Sequence, residues 1–408
     1  MRVLIQFGAR KIYEVGYVVN LKESSEYKCK NIVKIIDRVF DEKKLMLAKW
    51  ISEKYFCTLA DAIRLLVPPG TTTNVEKVKA KTEKYVSLLD TADFSKIKSD
   101  KHKKIPEFLK DNGSSQKAVL KDILDVSDAI LKTLEKNKII EIRDVEVSRN
   151  PFWNKKIDKK EKPVLTEEQE QVVKSIDIEE YSKNLIYGVT GSGKTEVYLR
   201  LIEKVLNAGK NAIVLVPEIS LTPQITDRFL ARFGEVVAIL HSGLSLGERY
   251  DEWQKIKSNN CRIVIGARSA IFAPLENVGI IIIDEEHDSS YKSETLPKYD
   301  AKEVANYIAL CENVPLVLGS ATPDIRTYYS ALNGDINLLK LENRISKFGL
   351  PNIEIVDMRE ELASGNRTVF SRKLYYSMKE AIKNKEQIML FLNRRGYSTF
   401  IMCRDCGY

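Results

Sequence analysis

From Leu165 onward, short apolar and largely β-branched runs alternate with amphipathic stretches of helical spacing. The runs are Asn184–Tyr187, Ala212–Val216, Val236–Leu240, Arg262–Ile265, Val278–Ile283 and Leu316–Leu318. A strand that is apolar at nearly every position, rather than at every other one, has both faces buried. Such strands separated by helices have one main solution, a parallel sheet covered by helices on both sides. The fold class expected for this half of the chain is therefore α/β.

Directly after Tyr187 stands Gly188-Val189-Thr190-Gly191-Ser192-Gly193-Lys194-Thr195. A Gly, four residues and then Gly-Lys-Ser/Thr between a strand and a helix is a phosphate loop. Gly188, Gly191 and Gly193, with Ser192, allow backbone N–H groups to converge on phosphate oxygens, and the following helix N-terminus adds its dipole. Lys194 is expected to reach the β- and γ-phosphates and the Thr195 hydroxyl to bind Mg²⁺. Ninety residues on (284 − 194), the run Ile280–Ile283 ends in Asp284-Glu285-Glu286-His287. A buried strand delivers an acid at its carboxyl end to the edge where ligands bind in α/β folds. Asp284 is the expected Mg²⁺ partner, through water, and Glu285 is placed to orient or deprotonate an attacking water. Lys194, Asp284 and Glu285 are thus the candidate catalytic residues for ATP hydrolysis, with ATP and Mg²⁺ as cofactors.

Many ATPases share these two elements, so the intervening loops matter. Val216–Gln224, His241-Ser242-Gly243 and Gly266–Ala270 each follow an expected strand. Ser, Thr, Arg and main-chain N–H groups there can touch a nucleic-acid backbone, and Arg268 is the candidate phosphate contact. Gly319-Ser320-Ala321-Thr322 matches the Ser-Ala-Thr motif that links ATP state to strand binding in superfamily 2 helicases. His287, Ser320 and Thr322 are the candidate coupling residues. Leu165-Thr166-Glu167-Glu168-Gln169 looks like the glutamine element that reads adenine, which adds Gln169 to the ATP-binding set.

The first 163 residues are built differently. Val3, Ile5 and Phe7, then Val15, Tyr17 and Val19 beyond Gly8, alternate as in a β-hairpin. Helical spacing runs from Asp41 to Leu66 and stops at Pro68-Pro69-Gly70. A strand around Tyr85–Leu89 precedes helical candidates at Ile105–Lys110, Gln116–Leu124 and Val126–Asn137, the second with Ser114-Ser115 as its N-cap. A strand, Ile139–Ile142, follows. Three short helices and then a strand suggest a winged helix, which docks on DNA or on protein. The expected organisation is 1–75 a small β-rich DNA-binding domain, 76–148 a winged helix, 149–163 a charged linker, and 164–345 a RecA-like lobe. Residues 346–408 are expected to open a second lobe, with a strand at Gln387–Leu392, and to hold half of a zinc module.

At Gly188–Leu199, Gly266–Pro274, Asp284–Lys292 and Phe391–Tyr397 the chain resembles the primosomal protein N′ (PriA) family, bacterial 3′-to-5′ DNA helicases that restart stalled replication forks. The resemblance extends over essentially the whole chain. It implies forked and single-stranded DNA as substrates, primosome proteins and single-strand-binding protein as partners, and a monomer in the cytoplasm, associated with the nucleoid. It also implies that Tyr291 and Tyr299, from a segment coupling DNA binding to hydrolysis, contact DNA. The 65 Lys and Arg against 57 Asp and Glu suit a polyanion partner. No apolar run is long enough for a membrane span.

Cys403 and Cys406 form one C-x-x-C. Two thiolates are half of a structural zinc site, and the family pattern places further cysteine pairs downstream, so Zn²⁺ is expected in the longer protein. The family pattern also carries an additional N-terminal strand and a complete second lobe, so a truncated chain is expected at both ends. Two other readings stay open: a module that binds ATP and DNA without turnover, and a different superfamily 2 translocase.

Overall fold

The computed structural model describes residues 1–391, leaving out 7–12, 27–28, 69–81, 90–91, 93, 95–96, 98, 125, 147–161 and 346–351, together with the last stretch, 392–408. The chain divides into two compact units, Met1–Ser346 and Lys347–Tyr408.

The first unit opens with β1 (Arg2–Gln6), β2 (Tyr13–Tyr17) and β3 (Lys34–Asp37), an antiparallel sheet in the order β2-β1-β3. The first two are the expected hairpin. The third, Lys34-Ile35-Ile36-Asp37, is short and does not alternate, so nothing in its sequence announced it. It is tied to β1 by buried Arg2, whose Nε donates to Asp37 Oδ1 at 2.7 Å. The helical stretch splits into α1 (Glu42–Lys54) and α2 (Leu59–Leu65). Phe56 takes a left-handed conformation at the break, and Thr58 restarts the helix by accepting the Asp61 N–H.

A second group follows: β4 (Thr82–Leu88), α3 (Asp100–Asn112), β5 (Ser115–Gln116), α4 (Lys117–Leu124), α5 (Asp128–Lys136) and β6 (Ile140–Glu146). Its three strands are antiparallel in the order β5-β4-β6. Three short helices close over one face, burying Val86, Ile105, Leu109, Leu120, Leu131 and Leu134 in a core of their own. Ser115 is not the helix cap expected of it: it lies in β5, opposite Val86. Helix α3 begins well before Ile105 because its first turn, Asp100–Lys103, is charged and carries no apolar stripe.

The lobe begins with α6 (Glu167–Ser175) and then alternates strand and helix: β7 (Lys183–Gly188), α7 (Lys194–Asn207), β8 (Asn211–Leu215), α8 (Pro223–Phe233), β9 (Val237–Leu240), α9 (Leu246–Lys257), β10 (Ile263–Gly266), β11 (Val278–Ile283), α10 (Ala301–Glu312), β12 (Leu316–Ser320), α11 (Ile325–Leu332) and β13 (Asn337–Leu341). The seven strands are all parallel, in the order β13-β7-β12-β11-β8-β10-β9, a RecA-like sheet. Six of them fall on the apolar runs. The seventh, β13, is an edge strand whose Asn337 and Lys340 are exposed, so it lacks the continuous apolar signature.

Successive residues of the central strands enter different cores. Ile213, Leu215, Ile281 and Ile283 face one layer, and Ala212, Val214, Ile280 and Ile282 the other. The first layer is shared with the N-terminal domain, because Leu47, Ala48, Ile51 and Ile63 of α1 and α2 belong to the same buried cluster. Trp50 stacks on Tyr307 of α10 with ring centroids 4.4 Å apart. The Tyr55 hydroxyl donates to Glu303 at 2.8 Å, and Lys43 pairs with Glu312 at 2.9 Å.

The second unit contains α12 (Met358–Ala363) and α13 (Arg372–Lys383), joined by an Arg372 guanidinium that donates to the Ser364 carbonyl at 2.7 Å. The strand expected at Gln387–Leu392 is not formed over 387–391, which pair with no neighbouring strand among the described residues.

Because Ile51 is fully buried where α1 meets the lobe, Ile51→Ala should cost about 2–5 kcal/mol. Denaturant unfolding should show the loss in the transition of the lobe as well as in that of the N-terminal domain.

Candidate nucleotide site

The phosphate loop lies between the carboxyl end of β7 and the start of α7. Gly191 and Gly193 both have φ of +84°, a left-handed conformation costly for any residue with a Cβ. A Cβ on Gly188 would stand 2.7 Å from Ser192 Oγ. The loop is held from outside, since the Ile345 N–H donates to the Gly191 carbonyl and the Val189 N–H to the Leu341 carbonyl. Lys194 Nζ donates to the Gly188 carbonyl at 2.8 Å, and Thr195 is half-buried in the first turn of α7.

Gln169 sits at the third position of α6, where it completes a capping box with Thr166. Its Oε1 accepts the Thr166 N–H at 3.0 Å and its Nε2 donates to the Ser192 carbonyl at 2.8 Å. Both ends of the amide are thus engaged within the protein. Gln169 braces the phosphate loop from α6.

Asp284 follows β11 and faces the loop. Its Oδ1 accepts a hydrogen bond from the Tyr198 hydroxyl at 2.9 Å, and its carbonyl accepts one from the Tyr291 hydroxyl at 2.6 Å. Burial raises the Asp284 carboxyl above its ordinary range, opposed by the Tyr198 hydrogen bond and the nearby Lys194 ammonium. Glu285 is also raised, by burial first and then by the Asp284 charge. A cation between them and the phosphates would lower both.

Glu286 leaves the edge and is fully buried. Its carboxylate accepts from Lys302 Nζ at 2.9 Å, the Asp324 N–H at 2.6 Å and Thr327 Oγ1 at 3.1 Å. The sequence assigned it no role. His287 Nδ1 lies 2.8 Å from Ser320 Oγ, which accepts the Thr322 N–H at 2.9 Å. The three expected coupling residues thus form one chain of contacts beside the acidic residues.

The three expected DNA contacts face the protein in this structure. Tyr291 and Tyr299 are only 1% and 4% exposed, so neither ring offers a face for a base to stack on. Arg268 donates to the carbonyls of Ser290 and Lys292, and its guanidinium lies 5.6 Å from the centre of the Tyr299 ring. Its fork is used to secure the segment after the acidic residues. The loops after β8, β10 and β9 do lie side by side, because those strands are neighbours in the sheet.

The residues fit a nucleotide with Mg²⁺. Ser192 Oγ is buried with no hydrogen-bond partner among the described residues, inside a loop turned by left-handed Gly191 and Gly193. Asp284 and Thr195 are hard oxygen donors of the kind Mg²⁺ takes. Among the described residues no cluster of His, Cys, Asp and Glu forms a metal cage, and Cys403 and Cys406 lie outside those residues. No helix of the described residues is long and apolar enough to cross a membrane.

A phosphate loop, an acidic strand end and a Ser-Ala-Thr turn at one edge of a RecA-like sheet define the ATPase lobe of a helicase. Residues 166–330 match the DEAD/DEAH box helicase family, and residues 1–68 match the 3′DNA-binding domain (3′BD) of PriA. The chain is similar to the replication restart protein PriA of Bacillus subtilis (strain 168), 40% identical across 100% of this chain and 60% of that protein. It is 46% identical to that of Synechocystis over 69% of the chain and 34% of the relative, and 34% identical to that of Treponema pallidum over 100% and 51%. The chain belongs to the PriA family, and it spans between about a third and three-fifths of the length of these relatives.

Replacing Glu286 by Ala leaves Lys302 and the Asp324 N–H without their acceptor. The substitution should lower stability by about 3 kcal/mol, read from denaturant midpoints, with Glu286→Gln in between.

Proposed function

We propose that this chain carries the DNA-recognition domains and the first ATPase lobe of an ATP-dependent 3′-to-5′ DNA helicase. The protein recognises stalled or forked DNA and initiates primosome assembly for replication restart. The observation that carries this reading is the joining of two chemistries at one sheet edge. Lys194, Asp284 and Glu285 surround the phosphate loop, and His287 passes directly from that acidic run to Ser320 and Thr322.

ATP bound with Mg²⁺ supplies the phosphoryl group and the charge that its transfer spreads over the phosphate oxygens. Lys194 and the loop amides hold those oxygens. Thr195 and Asp284 are the metal's oxygen donors, and Glu285 orients the attacking water. The Ser320–His287 contact gives the phosphate end of the site a mechanical link to the turn at Thr322. Residues 1–68, which match a 3′ DNA-binding domain, support capture of a DNA 3′ end. The 82–146 group, with three short helices over an antiparallel sheet, supports a winged helix as a second DNA contact. Further expectations from the family are Zn²⁺ at Cys403 and Cys406 completed by downstream cysteines, primosome proteins and single-strand-binding protein as partners, a monomer, and a cytoplasmic, nucleoid-associated location.

A second reading is binding of ATP and forked DNA without turnover. One experiment separates the two. ATP hydrolysis is measured with and without forked DNA, and Lys194→Ala should reduce turnover by about 10²-fold or more. DNA-stimulated hydrolysis lost in the variant supports the helicase reading. Fork binding with no hydrolysis in the unaltered chain supports the second.

A further inference from the structure

Tyr198 lies in α7, one turn beyond Thr195 and therefore on the side of that helix nearest the phosphate loop and its metal donors. Its ring is 1% exposed, and among the described residues its hydroxyl makes one hydrogen bond, at 2.9 Å to Asp284 Oδ1. An ionised carboxylate only accepts, so the phenol is the donor. The carboxylate also accepts the Glu285 N–H, so the two hydrogen bonds set its orientation while its remaining lone pairs stay open to another partner. The Asp284 backbone is pinned independently by the Tyr291 hydroxyl on its carbonyl, so two buried phenols hold one aspartate at both ends.

The neighbouring strand makes room for this contact. A Cβ on Gly319 would overlap the Tyr198 hydroxyl and stand 3.4 Å from Asp284 Oδ1. Any side chain at 319 would occupy the place of the phenol oxygen. The glycine that opens Gly319-Ser320-Ala321-Thr322 is thus required by a residue of α7, quite apart from the Ser320 contact with His287.

We propose that Tyr198 is a positioning residue that fixes the Asp284 carboxylate toward the Mg²⁺ of the bound nucleotide, and that Gly319 is kept without a side chain to admit it. The inference rests on the reading of this site as one for ATP with Mg²⁺. Partners of this kind, which orient a metal ligand without touching the metal, typically contribute 10–100-fold to metal affinity. Mg²⁺ demands near-ideal octahedral geometry, whereas Ca²⁺ accepts irregular oxygen sets. A residue acting through position should therefore matter more to Mg²⁺ than to Ca²⁺.

The test is titration of Mg²⁺, and separately Ca²⁺, into the chain with a fluorescent ATP analogue, comparing wild type, Tyr198→Phe and Gly319→Ala, with Tm measured alongside. Tyr198→Phe removes one oxygen and keeps the ring; Gly319→Ala keeps the oxygen and displaces it. Both should raise the Mg²⁺ midpoint by about tenfold, with a clearly smaller shift for Ca²⁺. An unchanged Mg²⁺ midpoint in Tyr198→Phe overturns the proposal, and if Tm falls at the same time the hydroxyl serves packing alone. Equal shifts for both ions also overturn it, since they indicate a charge effect rather than orientation. Wild-type nucleotide binding that ignores Mg²⁺ would instead sink the ATP·Mg²⁺ reading itself, and the inference with it.

Discussion

The register between β7, β12 and β11 is the constraint on which the site depends. Ser320 lies opposite Tyr187, the residue before the phosphate loop, and Leu318 lies opposite Ile283, the residue before Asp284. Three segments far apart in the chain thereby end at one edge with their functional residues level. Side chains of a strand alternate between faces, so a slip of one residue would turn the apolar set of β12 away from its layers and separate Gly319 from Tyr198. The two cores on either side of the sheet, each receiving alternate residues of the same strands, are what prevent that slip.

Four consecutive residues at that edge take four directions. Asp284 turns to Tyr198 and the phosphate loop, Glu285 stays half-buried beside it, Glu286 enters the interior, and His287 reaches Ser320. Continued as a strand, Asp284 and Glu286 would share a face. The left-handed conformation of Glu285, at φ +45°, breaks that alternation. Such a conformation is uncommon outside glycine and costs of order 1 kcal/mol, which the three partners of Glu286 and the His287 contact offset.

The phosphate loop and the acidic residues were legible in the sequence because both are contiguous and both follow runs of apolar residues. Six of the seven strands were legible for the same reason, while edge strand β13 and the short β3 carried too little pattern. Tyr198, Gly319 and Glu286 stayed hidden: each acts through a neighbour brought close only by the sheet order. The surroundings of Tyr291 and Tyr299 were not legible either. Their expected contact with DNA came from the resemblance, and only the structure shows that both rings are buried. The carbonyl partners of Arg268 were hidden likewise, because a guanidinium suits backbone carbonyls as well as phosphates.

The buried cluster common to α1, α2 and the lobe has a consequence for how the molecule can be handled and how it moves. Leu47, Ala48 and Ile51 are held by the same packing that holds the central strands, and Trp50 lies flat on Tyr307. The N-terminal domain is thus an extension of the lobe rather than a module on a tether. A polypeptide starting at Leu165 would present to water the apolar surface that α1 now covers, and aggregation would be its first property. Conversely, a load applied to nucleic acid held by the first domain would pass straight into α10 without taking up slack in a linker.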